Sequence, residues 1–137
     1  MLGIDMARIY IDSCLIIYLI ERNASFYGLV ANAMRRQDAN EICISPLVKL
    51  ECLVAPLRRE DQVLQQRYRN FFGTVTSLPI PEAVYEDATT LRARYHLKTP
   101  DALHLAVALR HGCEELWTND DRLAKAAGKM AINKLAS

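Results

Sequence analysis

Short runs of β-branched and aromatic residues alternate with helix-like segments along almost the whole chain, and this alternation restricts the fold more than any other feature. R-I-Y-I-D at 8–12 leads directly into C-L-I-I-Y-L-I-E, a short strand turning into a helix. A second helix is predicted over 26–36, followed by E-I-C-I at 41–44 as a short buried strand. Ser45-Pro46 has the form of an N-cap with proline at the first helical position, so a helix should run to about residue 54, with Pro56 ending or kinking it. A polar helix is expected over 58–72, a strand over 74–80 and a helix over 81–95. Thr99-Pro100 repeats the cap-and-proline signal and opens D-A-L-H-L-A-V-A-L-R, closed by Gly112. E-L-W-T-N then reads as a strand, D-R-L-A-K-A-A as a short helix and M-A-I-N-K-L as a last strand. The pattern predicts an α/β fold, a three-layer α/β/α sandwich around a central, mostly parallel sheet.

The 137 residues suit a single domain over 1–137, and the sequence has no internal repeat, low-complexity tract or linker. Residues 1–5 precede the run M-A-R-I-Y-I-D and are expected to be an extension ahead of the fold. With 51% hydrophobic and 24% charged residues, the chain can bury a core and is far from a disordered composition. A formal net charge of +1 provides no global positive field, so any nucleic-acid binding must come from local patches. Cys14, Cys43, Cys52 and Cys113 are widely spaced, form no C-x-x-C pair and read as buried reduced thiols. The most apolar stretch, 9–20, is short for a bilayer span and is interrupted by Asp12, and no convincing small-residue cleavage site follows it. A cytoplasmic protein with no membrane contact is the expectation.

In an open α/β sheet, ligands bind beyond the carboxyl ends of the strands, which draws attention to acidic residues there. Asp12 ends the first predicted strand and Asp120 follows the strand E-L-W-T-N. Both also stand where helices begin, so capping is a sufficient ordinary explanation for either one alone. Glu51 is more informative, because it shares a helical face with Leu47, Val48 and Val54 and interrupts a core-facing stripe with a carboxylate. Its ordinary reading is a pair with a basic residue at the edge of that stripe. Asp101 lies in the first turn of a very apolar helix, where the helix dipole alone could account for it. Four carboxylates reaching the same end of one sheet would be a costly accumulation of negative charge, tolerable chiefly with a bound cation.

An oxygen-only ligand set favours a hard cation, Mg²⁺ with Mn²⁺ as the alternative, and the absence of a close His or Cys pair argues against zinc. His104 follows Asp101 by one turn and could approach the carboxylates, although a histidine on an apolar helix is more often packed and hydrogen-bonded. His96 and His111 have weaker claims.

Asp12-Ser13 after the first strand, Glu51 in S-P-L-V-K-L-E, T-P-D-A-L-H-L-A around Asp101 and T-N-D-D-R-L-A around Asp120 together resemble the PIN domain, in particular the VapC-type toxins of bacterial toxin–antitoxin pairs. The resemblance runs from about residue 8 to the C-terminus, and it lies in the order and spacing of motifs that are individually weak. It implies that Asp12, Glu51, Asp101 and Asp120 form an acidic catalytic metal site for Mg²⁺ or Mn²⁺, with Ser13, Thr118 and Asn119 as polar supports. T-N-D-D offers Asp121 as well, and Asp120 is chosen because it completes the T-N-D pattern. The implied activity is metal-dependent hydrolysis of RNA phosphodiesters, in a homodimer paired with a small cognate antitoxin that covers the acidic groove. Candidate RNA contacts are the basic clusters Arg35-Arg36, Arg58-Arg59, Arg67 and Arg69 with Tyr68 between them, and Arg92 with Arg94.

Three other readings compete. A phosphoacceptor receiver domain would need an acidic pair at Asp12, and Ser13 and Cys14 do not supply it. A haloacid-dehalogenase-type phosphatase would need aspartate where Cys14 stands. A non-catalytic interaction module retaining the PIN fold is the serious alternative, and metal-dependent RNA cleavage separates it from a nuclease.

Overall fold

The structure is a computed structural model that describes residues 6–37 and 39–132, so the proposed extension at 1–5 and the end of the last predicted strand lie outside the described residues. Its strands are β1 (Arg8–Ile11), β2 (Glu41–Ile44), β3 (Thr76–Ser77), β4 (Glu115–Trp117) and β5 (Ala131–Ile132). They form one sheet in the order β3-β2-β1-β4-β5, with every neighbouring pair parallel. The helices are α1 (Ser13–Ile20), α2 (Tyr27–Arg35), α3 (Pro46–Arg58), α4 (Gln62–Phe72), α5 (Glu82–Tyr95), α6 (Thr99–Arg110) and α7 (Asp121–Ala127). They pack in two groups, α1 with α2 and α3 and α3 with α4, then α5 with α6 and α6 with α7. This is the expected α/β sandwich.

The chain builds outward from β1 through β2 to β3, then returns to place β4 on the other side of β1. The order therefore reverses between β1 and β4, and in open α/β sheets the crevice at such a reversal is where ligands bind. Ile9, Tyr10 and Ile11 of β1 and Leu116 and Trp117 of β4 are fully buried, which makes the floor of that crevice rigid. Helix α6 is buried at every position from Ala102 to Ala108, as its all-round apolar composition requires. The side chains at the start of α6 are held at the sheet's carboxyl edge by that burial.

Several local expectations change. Helix α3 continues through Pro56 to Arg58, because the ring occupies a buried position in line with Val48 and Cys52, where packing offsets the lost backbone hydrogen bond. The polar helix begins at Gln62 rather than 58, since the Asp61 carboxylate caps it by accepting from Leu64 N at 3.0 Å. Ser45 stands at the N-cap position of α3 but makes no side-chain cap bond, and the cap position of α6 is Lys98 rather than Thr99. Strand β3 keeps only two residues of the stretch predicted over 74–80, which contains Pro79 and is followed by Pro81. The four cysteines are unpaired thiols, as expected, with Cys14 only partly buried.

Candidate active site

Asp12 follows β1 and occupies the N-cap position of α1, yet its side chain makes no capping bond. Both of its oxygens instead face polar side chains. Thr118, just beyond β4, donates from Oγ1 to Asp12 Oδ2 at 2.8 Å, and Ser13 Oγ lies 3.3 Å from Oδ1. The same Thr118 oxygen accepts the backbone N–H of Asp120 at 3.0 Å. A fully buried threonine thus joins the ends of the two strands that flank the reversal.

Glu51 reaches this point from the second turn of α3. Its Oε1 accepts from Ser13 Oγ at 3.0 Å and lies 2.7 Å from His104 Nε2. His104, which is 1% exposed, presents Nδ1 to the Tyr10 hydroxyl at 2.6 Å, and that hydroxyl lies 2.8 Å from Ser45 Oγ. Burial opposes ionisation of Glu51, but the bonds from His104 and Ser13 outweigh it and hold the carboxyl below the usual glutamate range. The single basic partner that an embedded glutamate calls for is therefore a histidine from α6.

Asp12, Glu51 and His104 offer ligand atoms that all lie within 4.8 Å of one another, the one such group among the described residues. Asp101 and Asp120 are not in that tight group. They line an open cleft of about 700 Å³ together with Glu51, Lys98, Pro100, Asn119, Asp121 and Arg122. Asp120 uses Oδ1 as a cap, accepting from Leu123 N at 2.9 Å, so its ordinary reading holds alongside any other role. Desolvation, followed by the negative charges of Asp120 and Asp12, raises the Asp101 carboxyl above the usual aspartate range. Four carboxylates do converge on one end of the sheet, in contact or at electrostatic range.

The donor set fits a hard divalent cation. Carboxylates from four separate segments approach one region, and among the described residues the nearest basic group to the buried Asp12 is His104, whose Nε2 lies 3.9 Å from Oδ1, beyond hydrogen-bond distance. Asn119 is turned toward α1, where its Oδ1 accepts from Cys14 Sγ at 2.9 Å and its Nδ2 donates to Tyr18 Oη at 3.1 Å. Burial, followed by the Asp12 charge, pushes the Cys14 thiol up to about 12, so it stays protonated and serves as the donor.

Sequence reading missed Tyr10, Ser45, Lys98 and Arg122. Tyr10 stands two residues before Asp12 in the strand direction, the spacing at which side chains share a face, and that signal was available. Lys98 and Arg122 are the basic residues of the cleft, and neither belongs to the arginine clusters picked out from the sequence. Tyr68 is fully buried and donates its hydroxyl to Glu21 at 2.6 Å, which removes it as a platform for a nucleic-acid base.

Comparison with known proteins agrees with this geometry. Residues 9–129 match the family model of the PIN domain. A toxin–antitoxin complex from Klebsiella pneumoniae is similar in structure over 91% of this chain and 96% of its own, with 24% identity and a TM-score of 0.76. VapC20 of Mycobacterium tuberculosis, described as a sarcin-ricin loop cleaving toxin, is 16% identical over 86% of this chain and 94% of its own, with a TM-score of 0.74. FitAcB from Neisseria gonorrhoeae gives 18% identity, 94% and 99% coverage and a TM-score of 0.75. No curated protein is significantly similar in sequence. With the family model spanning nearly the whole described chain and the carboxylates gathered at the β1–β4 reversal, this protein belongs to the PIN-domain family.

Proposed function

We propose that this protein is a divalent-cation-dependent endoribonuclease and the toxin of a toxin–antitoxin pair, built as one PIN domain. The observation that carries the reading is Asp12, a buried carboxylate at the sheet's reversal that is held by Thr118 and Ser13 rather than spent on capping. Asp12, Glu51, Asp101 and Asp120 would hold Mg²⁺ or Mn²⁺. When bound, such a cation supplies charge neutralisation at the phosphate and a lowered pKa for water. Thr118 and Ser13 orient the carboxylates, Asn119 ties the loop after β4 to α1, and Lys98 and Arg122 at the rim engage the RNA phosphates flanking the scissile one.

Two protein contacts belong to the same reading. The structural relatives include a toxin–antitoxin complex, and an acidic cleft suits an antitoxin that inserts a basic side chain. Leu50, Val54 and Leu57 form an exposed apolar stripe on α3, which supports a homodimer or other protein contact. Among the described residues no helix is long and apolar enough to cross a membrane, in keeping with a cytoplasmic site of action.

The test is a gel assay of the purified, antitoxin-free chain on a mixed RNA pool with Mg²⁺, Mn²⁺ or EDTA. Cleavage with either ion and none with EDTA is expected. EDTA-resistant cleavage overturns the metal site, and failure to cleave any RNA favours the non-catalytic interaction module.

A further inference from the structure

Among the described residues, His104 is the one buried titratable side chain hydrogen-bonded to the candidate carboxylates that the proposed function does not use. Its surroundings fix a direction of hydrogen bonding. An ionised Glu51 can only accept, so Nε2 must carry a proton toward Oε1 at 2.7 Å. Nδ1 lies 2.6 Å from the Tyr10 hydroxyl, which in turn lies 2.8 Å from Ser45 Oγ. Every side-chain polar atom of His104, Tyr10 and Ser45 in this row has a hydrogen-bond partner. The row begins on Ser45, crosses β1 at Tyr10 and ends on Glu51, so the core of the sheet sets the position of the carboxylate.

The second donor to Glu51, Ser13 Oγ, also falls on Oε1 at 3.0 Å. Among the described residues no hydrogen bond reaches Oε2. We infer that His104 is a positioning residue: backed by Tyr10 and Ser45, it holds Oε1 of Glu51 and thereby turns Oε2 toward the cation. This inference rests on the metal-site reading proposed above. His104 itself remains a donor to the carboxylate and does not ligate, because ligation through Nε2 would require loss of the proton that bonds Oε1. Partners of this kind typically change metal affinity by about 10- to 100-fold when removed.

The test is Mn²⁺ affinity of the full chain, read by the electron paramagnetic resonance of free Mn²⁺, alongside thermal melts in EDTA. His104→Leu should weaken Mn²⁺ binding by about 10- to 100-fold. Its melt in EDTA should be lowered by loss of the donor to Glu51 yet remain a single cooperative transition, because Tyr10 and Ser45 keep their mutual bond. His104→Gln, whose amide N–H can reach Oε1, should recover most of the affinity, whereas the shorter His104→Asn should not. A folded Leu variant binding Mn²⁺ like the wild type would overturn the inference. Should the Leu variant fail to fold, equal affinities for the Gln and Asn variants would overturn it instead. Absence of Mn²⁺ binding by the wild type is a separate outcome, which removes the metal site itself.

Discussion

Thr118 Oγ1 lies 2.8 Å from Asp12 Oδ2, 106 residues away in the chain, while accepting the backbone N–H of Asp120 at 3.0 Å, so one buried hydroxyl couples two carboxylate-bearing segments. Thr118→Val preserves the shape and removes the donor. Hydrogen bonds to charged groups contribute roughly 1.5–3 kcal/mol, and a loss of that order is expected in denaturant unfolding. RNA cleavage should fall as well, and Thr118→Ser should restore both. A Val variant as stable as the wild type would show that the bond contributes nothing.

Asp12→Asn and Asp101→Asn are expected to lower cleavage by at least about 100-fold, since each removes charge and a ligand oxygen from the cation. Their stabilities should not fall in parallel. Desolvation and the neighbouring negative charges of Asp120 and Asp12 already oppose ionised Asp101, so neutralising it should leave the thermal melt in EDTA equal or higher. Full activity in either variant would remove that carboxylate from the site.

Glu51 and Asp101 should give opposite pH signatures to the metal-free protein. Glu51 titrates below its ordinary 4.5 in the folded state, so its contribution to stability is present above that value and is lost as pH falls through the lowered one. Asp101 titrates above its ordinary 3.8, so the folded state binds this proton more tightly and stability rises as pH falls from the raised value toward 3.8. Subtracting Glu51→Gln and Asp101→Asn melting curves from that of the wild type, in EDTA across the acid range, isolates each slope. Slopes of the same sign for the two residues would contradict the assignment.

Lys98 and Arg122 line the acidic cleft, and the role proposed for them as phosphate contacts predicts a change in KM rather than kcat. Lys98→Ala and Arg122→Ala should each raise KM by about fivefold, equivalent to roughly 1 kcal/mol for an exposed charge contact. Each should also reduce the log–log salt dependence of RNA binding by about 0.7. Mn²⁺ affinity should stay as in the wild type, which separates these residues from the carboxylates.

The parallel sheet and its helices were legible because they follow from local pattern, β-branched runs and helical periodicity, and the same reading singled out Asp12 and Asp120 at strand ends and Glu51 and Asp101 on helices as candidates. Glu51 was identified as a carboxylate in an apolar stripe, of which Val48 is buried but Val54 is exposed, and the structure explains it through His104, which the sequence allowed to approach the carboxylates but favoured as a packed side chain. Capping at Ser45 was misread because its hydroxyl goes to Tyr10, a contact 35 residues away that no local rule contains. Pro56 was misread for the complementary reason, that burial decided a position where intrinsic propensity pointed the other way. The basic residues of the cleft escaped notice because isolated lysines and arginines carry no pattern, whereas adjacent pairs do.

The strand order has a consequence for synthesis of the protein. Asp12 is translated long before the strand that completes its surroundings, β4, which comes only at Glu115–Trp117 and pairs directly with β1. Thr118 and Asp120 follow it, so the carboxylate cleft cannot close on a nascent chain until nearly all of the domain has left the ribosome. Whatever chemistry this cleft performs is withheld while most of the domain is still being synthesised, and products truncated before β4 carry Asp12 without Thr118 or Asp120 beside it.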